Sequence, residues 1–222
     1  MPAFNEEATL TTAIQRVLDA ELPVKSRELI VVDNGSTDGT ADLLADGNWG
    51  KDVRVVSLSP NRGKGGAIRA GLAEARGEYS ALIDADLEYD PADFADLLPP
   101  LLAGEAEAVF GTRMFQAHSA YGFWYVMGNR VINLAANALY NAWLSDFMVC
   151  LKAAPTERFR SLDLREPGFA IEAEITARLL RAGVRIYEVP ITYRARSRED
   201  GKKLHARDGG RMLATLLRCR ID

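Results

Sequence analysis

The chain has 222 residues, with 27 Lys and Arg against 31 Asp and Glu and a formal net charge of -4. That length fits one large domain burying about 70% of its unfolded surface, and the acidic balance excludes general nucleic-acid binding as an expected role. The two cysteines, Cys150 and Cys219, lack metal-ligand spacing and fit a reducing compartment.

The N-terminal stretch MPAFNEEATL has no basic segment followed by an apolar one, so no secretory signal is read there. No apolar run reaches the length of a membrane span. Charge is unevenly placed. Arg194 to Asp222 holds nine Lys and Arg against four Asp and Glu, a balance of +5, so residues 1–193 carry -9. A basic end on an acidic body points to an anionic partner, a phosphate or a membrane surface.

In chain order, Leu29 to Val32 reads as a strand and Asp38 to Leu44 as a helix start. Val53 to Leu58 reads as a strand, Gly65 to Ala75 as a helix, and Tyr79 to Ile83 as a strand. Pro91 to Leu102 follows as a helix with Pro in its first turn, then Ala108 to Gly111 as a strand. This alternation predicts an α/β fold with a parallel sheet covered on both faces. Beyond Arg113 the pattern changes to an aromatic group (Tyr121, Phe123, Trp124, Tyr125) and a long helix. On that helix Asn133, Asn137 and Asn141 recur every four residues, along one face. A helix over Ile171 to Ala182 and a strand over Arg185 to Val189 precede the basic tail. In the tail Met212, Leu213, Leu216 and Leu217 share a helix face, suited to docking on the domain or to lying on a membrane interface.

Three strand ends carry the chemistry. Asp33-Asn34-Gly35-Ser36-Thr37-Asp38-Gly39-Thr40 offers a carboxylate for a base or ribose, or a plain turn with Asp38 capping a helix. Asn61-Arg62-Gly63-Lys64-Gly65-Gly66 opens a helix, where free backbone N–H groups make an anion site. It lacks the spacing of a nucleotide-triphosphate P-loop. Asp84-Ala85-Asp86-Leu87-Glu88 closes an apolar strand with three carboxylates, which repel one another unless a cation joins them. The alternative there is an acidic turn capped at Asp90-Pro91. Hard divalent cations take oxygen ligands and bridge substrate phosphates.

Together Pro2-Ala3-Phe4-Asn5-Glu6-Glu7, V-V-D-N-G-S-T-D-G-T, N-R-G-K-G-G-A, D-A-D-L-E-Y-D-P and G-T-R resemble the family-2 inverting glycosyltransferases of GT-A fold. Gly128-Asn129-Arg130, Ser145-Asp146, Phe169 to Thr176, Glu188 to Ile191 and Gly201 to Leu204 narrow the resemblance to the dolichyl- or polyprenyl-phosphate hexose synthases. It implies a nucleotide-diphospho-sugar transferase fold, a mostly parallel Rossmann-like sheet flanked by helices. One catalytic domain would span 1–222, with a nucleotide-sugar half (1–113) and an acceptor half (114–222).

The resemblance further implies a GDP- or UDP-sugar donor, a hexose (mannose or glucose) and a polyprenyl or dolichyl phosphate acceptor. Pro2, Phe4, Asn5, Glu7, Asp33, Asn34, Asn61, Lys64, Asp84, Ala85 and Asp86 would contact the sugar nucleotide. Asp84, Asp86 and Glu88 would hold Mg²⁺ or Mn²⁺, with Glu88 where relatives often have Gln. Asp86, Arg113, Arg130 and Asp146 would be catalytic. Arg113, Arg130, Arg196, Lys202 and Lys203 would bind the acceptor phosphate. A phosphate monoester is largely dianionic at neutral pH, with a second pKa of about 6, and needs no general base. Glu172 and Glu174 are expected on different helix faces, one functional and one exposed.

The expected location is cytoplasmic, peripheral at the cytoplasmic face of a membrane, through the membrane surface or a membrane-protein partner. The sequence departs from the family in showing no full strand before Pro2 and no C-terminal membrane helices. The alternatives are a family-2 enzyme with a hydroxyl acceptor, which needs a base such as Asp146 or Glu172, and a nucleotide-sugar-binding protein without catalysis.

Overall fold

The structure is a computed structural model that describes residues 1–114, 123–196, 203 and 206–222. Its first sheet joins β1 (Pro2–Ala3), β2 (Leu29–Asp33) and β3 (Val53–Ser57) in that order, all parallel. The stub β1 answers the expectation of a missing strand. Met1 already engages β2, its amine donating to Ile30 O at 2.9 Å and its carbonyl accepting from Val32 N at 2.9 Å.

The second sheet runs β4 (Tyr79–Leu82), β6 (Lys152–Pro155), β5 (Ala108–Thr112) and β7 (Ile186–Pro190). β5 and β7 are parallel, whereas β6 lies antiparallel between β4 and β5. The βα alternation up to residue 112 therefore leads correctly to parallel order in the first sheet. It does not make β4 and β5 neighbours, because a strand from later in the chain separates them.

Helix α1 (Leu10–Asp19) buries Leu10, Ala13 and Ile14 over the first sheet. α2 (Thr40–Asp46) follows β2, and α3 (Gly63–Glu74) packs on β1 and β2. A 3₁₀ turn at Pro91–Asp93, capped by Asp90, leads into α4 (Phe94–Leu102), which packs against β5 and β6. The Asp90 carboxylate accepts from Ala92 N at 3.1 Å, so the capped turn is present as well as the acidic strand end.

α5 (Phe123–Tyr140), α7 (Ile171–Arg181) and α8 (Ala206–Ile221) pack together beyond the sheets, with Ile132, Phe147, Met212 and Leu216 at their core. The tail helix is thus docked on its own domain, while Leu217 stays half exposed. A short α6 (Thr156–Arg160) follows β6. Among the described residues no helix is long and apolar enough to cross a membrane.

Candidate active site

A cavity of 370 Å³ opens at the strand ends, lined by Phe4, Asn34, Lys64, Asp84, Asp86, Arg113 and others. Ligands of open α/β sheets bind beyond the carboxyl ends of the strands, and β2 and β4 both end here. Of the residues expected from sequence, Pro2, Asn61, Ala85, Glu88, Arg196 and Lys203 also line it. Asn5, Glu7, Asp33, Arg130 and Asp146 do not. Lys202 and Tyr121 lie outside the described residues, as do the side chains of Trp124 and Tyr125.

Asn5 and Glu7 brace the first loop against the second. Asn5 adopts φ 52°, and its Oδ1 accepts from Thr37 N at 2.8 Å. Glu7 Oε2 accepts from Gly39 N at 3.0 Å, and Asp38 Oδ1 accepts from Thr40 N at 3.0 Å. Asp33 is buried, with Oδ1 accepting from Ser36 N at 3.1 Å.

The glycine-rich first turn of α3 is not the free amide cradle that its sequence leads one to expect. Gly65 N and Gly66 N both donate to Pro167 O, at 2.7 and 3.3 Å, and Gly63 N donates to Asn61 Oδ1 at 2.7 Å. A Cβ at Gly65 would meet Glu166 O at 2.0 Å, so glycine is required for this close approach. With these amides taken, the Lys64 side chain is what this turn presents to the cavity.

Lys64 Nζ lies 2.7 Å from Asp84 Oδ2 and 3.0 Å from Glu172 Oε1. Burial is the largest single influence and lowers its pKa, but its neighbours together, Asp84 foremost, hold it well above the ordinary value. Asp86 is pushed up to about 7 by burial, then by Asp84 and Glu88. This is the repulsion that a cation relieves. Among the described residues no three His, Cys, Asp or Glu side chains form a metal cage. Glu88 accepts from Tyr193 Oη at 2.7 Å and Arg196 N at 2.8 Å. The donor set fits a hard divalent ion held by one or two carboxylates and completed by substrate phosphates.

The cationic side of the cavity is braced from behind. Arg113 Nε and Nη2 meet Asp146 Oδ2 and Oδ1 at 2.6 and 2.9 Å, and the guanidinium sits 4.9 Å from the Tyr193 ring centroid. Burial is the largest single influence and works against this charge, but its neighbours together, Asp146 foremost, hold its pKa well above the usual value. Nη1 has no hydrogen-bond partner among the described residues.

Asp146 is positioned in turn by its loop. Glu188 Oε1 accepts from Asp146 N at 3.1 Å, and Asn137 exchanges two bonds with Leu144, each 2.9 Å. Asn133 Oδ1 accepts from Phe147 N at 3.2 Å. The asparagine stripe of α5 therefore clamps the loop carrying Asp146, except for Asn141, which lies past the helix end at φ 49°.

Glu6, to which the sequence assigned no role, pairs with two of the expected phosphate-binding cations. Its carboxylate meets Arg196 Nη1 at 3.1 Å and Lys203 Nζ at 2.6 Å. Lys203 also donates to Phe4 O. Glu174 corrects another expectation, being fully buried rather than exposed. Its Oε2 accepts from Arg165 N at 2.8 Å and Glu166 N at 2.7 Å, fixing the loop against which the glycine turn rests. Arg130 is exposed on α5, beside cavity-lining Asn129. Asn129, Phe169 and Tyr193 also line the cavity; the first two lie within the motifs quoted above, which give them no role, and Tyr193 lies outside them.

An α/β fold in which β4 runs into a paired acidic motif, with a braced arginine in the same cavity, is that of a glycosyltransferase of GT-A architecture. The chain belongs to glycosyl transferase family 2, whose pattern matches residues 1–156. It is 31% identical over 220 residues to glycosyltransferase AglJ of Haloferax volcanii, covering 98% of this chain and 69% of that protein. It is 37% identical over 116 residues to dodecaprenyl-phosphate galacturonate synthase of Rhizobium johnstonii, covering 51% of this chain. The match spans only 34% of that longer relative. Among solved structures it resembles glucosyl-3-phosphoglycerate synthase from Mycobacterium tuberculosis in complex with Mn²⁺, UDP and glucosyl-3-phosphoglycerate. The TM-score is 0.73 at 25% identity, covering 98% of this chain and 77% of that one.

Proposed function

We propose that this chain transfers a hexose, mannose or glucose, from a GDP- or UDP-sugar to a polyprenyl or dolichyl phosphate, with inversion at the anomeric carbon. The observation that carries this reading is Arg113, locked by Asp146 and Tyr193 in the cavity that also holds Asp84 and Asp86. A guanidinium with donors to spare suits a phosphate acceptor. Both Asp146 oxygens are taken by Arg113, which leaves that carboxylate no role as base for a hydroxyl acceptor.

Asp84 and Asp86 are the residues to hold Mg²⁺ or Mn²⁺ with the donor diphosphate. A bound cation would offset the charge developing on the leaving nucleoside diphosphate. Phe4, Asn34 and Asn61 form the nucleotide side of the pocket, and Lys64 adds a cation beside Asp84. Arg113, with Arg196 and Lys203 once they leave Glu6, orients the acceptor phosphate. A phosphate oxygen forms the new bond to the anomeric carbon as the bond to the diphosphate breaks on the opposite face. No proton needs to be removed. In this reading residues 1–222 form one catalytic domain, with the donor handled by 1–113 and the acceptor by 114–222.

The name of the Rhizobium relative supports the lipid-phosphate acceptor. Exposed Phe123, Val131 and Leu134 on α5, with Trp143 86% exposed beyond it, support work at the cytoplasmic face of a membrane or on a membrane-protein partner. A second reading, transfer to a hydroxyl of a small phosphorylated acceptor, is favoured by the likeness to the Mycobacterium enzyme.

Labelled UDP-glucose and GDP-mannose with Mn²⁺ or Mg²⁺, offered undecaprenyl phosphate, 3-phosphoglycerate or no acceptor, test the choice. Label moving into the organic phase is expected. Label on 3-phosphoglycerate alone would transfer the assignment to the second reading. Metal-dependent binding without transfer to either would leave a sugar-nucleotide-binding protein.

A further inference from the structure

Among the largest fully buried side chains of the described residues, Lys152 is the one that carries a charge, and it does not line the cavity. It sits on β6, the antiparallel strand at the centre of the second sheet. An ammonium removed from water is strongly disfavoured unless paired. Its Nζ donates to Val149 O and to Glu172 Oε2 and lies 4.8 Å from the Phe110 ring centroid. Glu172 is itself buried, and it does line the cavity.

The two Glu172 oxygens are engaged differently. Oε2 is bound by Lys152. Oε1 lies 3.0 Å from Lys64 Nζ but outside hydrogen-bond geometry, so this buried acceptor has no hydrogen-bond donor. Lys64 is instead hydrogen-bonded to Asp84 Oδ2 at 2.7 Å. Charges therefore alternate from the sheet interior to the cavity in the order Lys152, Glu172, Lys64, Asp84.

We propose that Lys152 is a positioning residue for the donor site: it orients Glu172 and, through Glu172, holds Lys64 in the cavity beside Asp84. This rests on the sugar-nucleotide reading above. Were Asp84 to hold a metal–diphosphate, Lys64 would lose that partner, and Oε1 of Glu172, 3.0 Å away, would be left as its acceptor. An ammonium has three donors, so Lys64 can hold Glu172 and still reach a diphosphate oxygen.

Calorimetric titration of UDP-glucose and GDP-mannose with Mn²⁺ is the test. Lys152→Met weakens the bound sugar nucleotide about tenfold or more, and the KM for that donor rises while kcat stays within about threefold. Because Lys152 acts through Lys64, Lys152→Met combined with Lys64→Gln binds no more than about threefold worse than Lys64→Gln alone. Unchanged affinity in Lys152→Met, or full additivity with Lys64→Gln, overturns the proposal.

If Lys152→Met does not fold, Glu172→Gln carries the same test, with the same non-additivity expected against Lys64→Gln. Wild-type protein that binds neither sugar nucleotide would sink the donor reading instead. The ligand-free crystal structure of Lys152→Met then decides this proposal. Lys64 Nζ moving away from Asp84 supports it, and an unmoved Lys64 overturns it.

Discussion

The acidic and basic groups of the cavity are built on different plans. The acidic group is local: Asp84 and Asp86 leave one strand end, and Lys64 comes from the first turn of α3. The basic group is assembled from afar. Arg113 is set by Asp146, 33 residues on, and Arg196 and Lys203 are held by Glu6, 190 and 197 residues away. A locally built group is left with unrelieved repulsion, since Asp86 has like charges for neighbours. A remotely built group is left with its charges already paired. The first waits for a cation, and the second must be unpaired before an anion can bind.

The contrast breaks first at Arg113. Arg113→Lys keeps the charge but loses the two-point grip on Asp146, and transfer falls about 100-fold or more. Sugar-nucleotide affinity measured by calorimetry stays within about twofold. An equal loss in both quantities would show that the two groups are not separable.

Removing metal sharpens the acidic side. Folded, metal-free Asp86 keeps its proton up to pH about 7, against 3.8 for the ordinary value. The unfolded chain binds fewer protons in that window, so stability falls as pH rises from about 4 to about 7. Asp86→Asn removes this slope and stabilises the metal-free protein at pH 8 by about 1–3 kcal/mol, read by denaturant unfolding. The same variant loses Mn²⁺-dependent nucleotide affinity. An unchanged pH slope in Asp86→Asn would assign the repulsion elsewhere.

Glu6→Gln probes the basic side more gently. With Arg196 and Lys203 released, the KM for the phosphate acceptor drops about fivefold, a gain of about 1 kcal/mol. A higher KM would make Glu6 a brace for the two cations rather than a competitor. An effect of the same size, on a different property, is expected at Arg130, exposed and outside the cavity lining. Arg130→Ala weakens binding to vesicles containing anionic lipid about fivefold, near the 1 kcal/mol typical of one basic residue at such a surface, and leaves donor affinity unchanged.

What could be read from sequence follows the same division. The strand ends at Asp33 and Asp84 announce themselves as apolar runs closing in carboxylates, and the structure puts Asn34, Asn61, Lys64, Asp84 and Asp86 in one cavity. The partners of the basic group carry no local signature. Nothing near Glu6 points to residue 196 or 203, and Tyr193, which meets Arg113, is bridged to Tyr89 from a distant part of the chain.

α1 was legible but not read: Leu10, Ala13, Ile14 and Val17 follow helical spacing over its length. β6 was not legible. Lys-Ala-Ala-Pro has neither the branched residues nor the alternation of a strand, and it is one only because β4 and β5 flank it. The amides of Gly65 and Gly66 looked free for the same reason, since their acceptor lies about a hundred residues away.

That long-range acceptor has a further consequence. The family pattern ends at residue 156, yet the carbonyl that closes the glycine turn belongs to Pro167 and the carboxylate that answers Lys152 belongs to Glu172. A protein cut at residue 156 would keep every donor motif and expose a lysine that had been sealed inside the second sheet. The segment that the family pattern covers is thus shorter than the segment that closes the donor site. Grafting this donor pocket onto another scaffold would require residues 157–181 to travel with it.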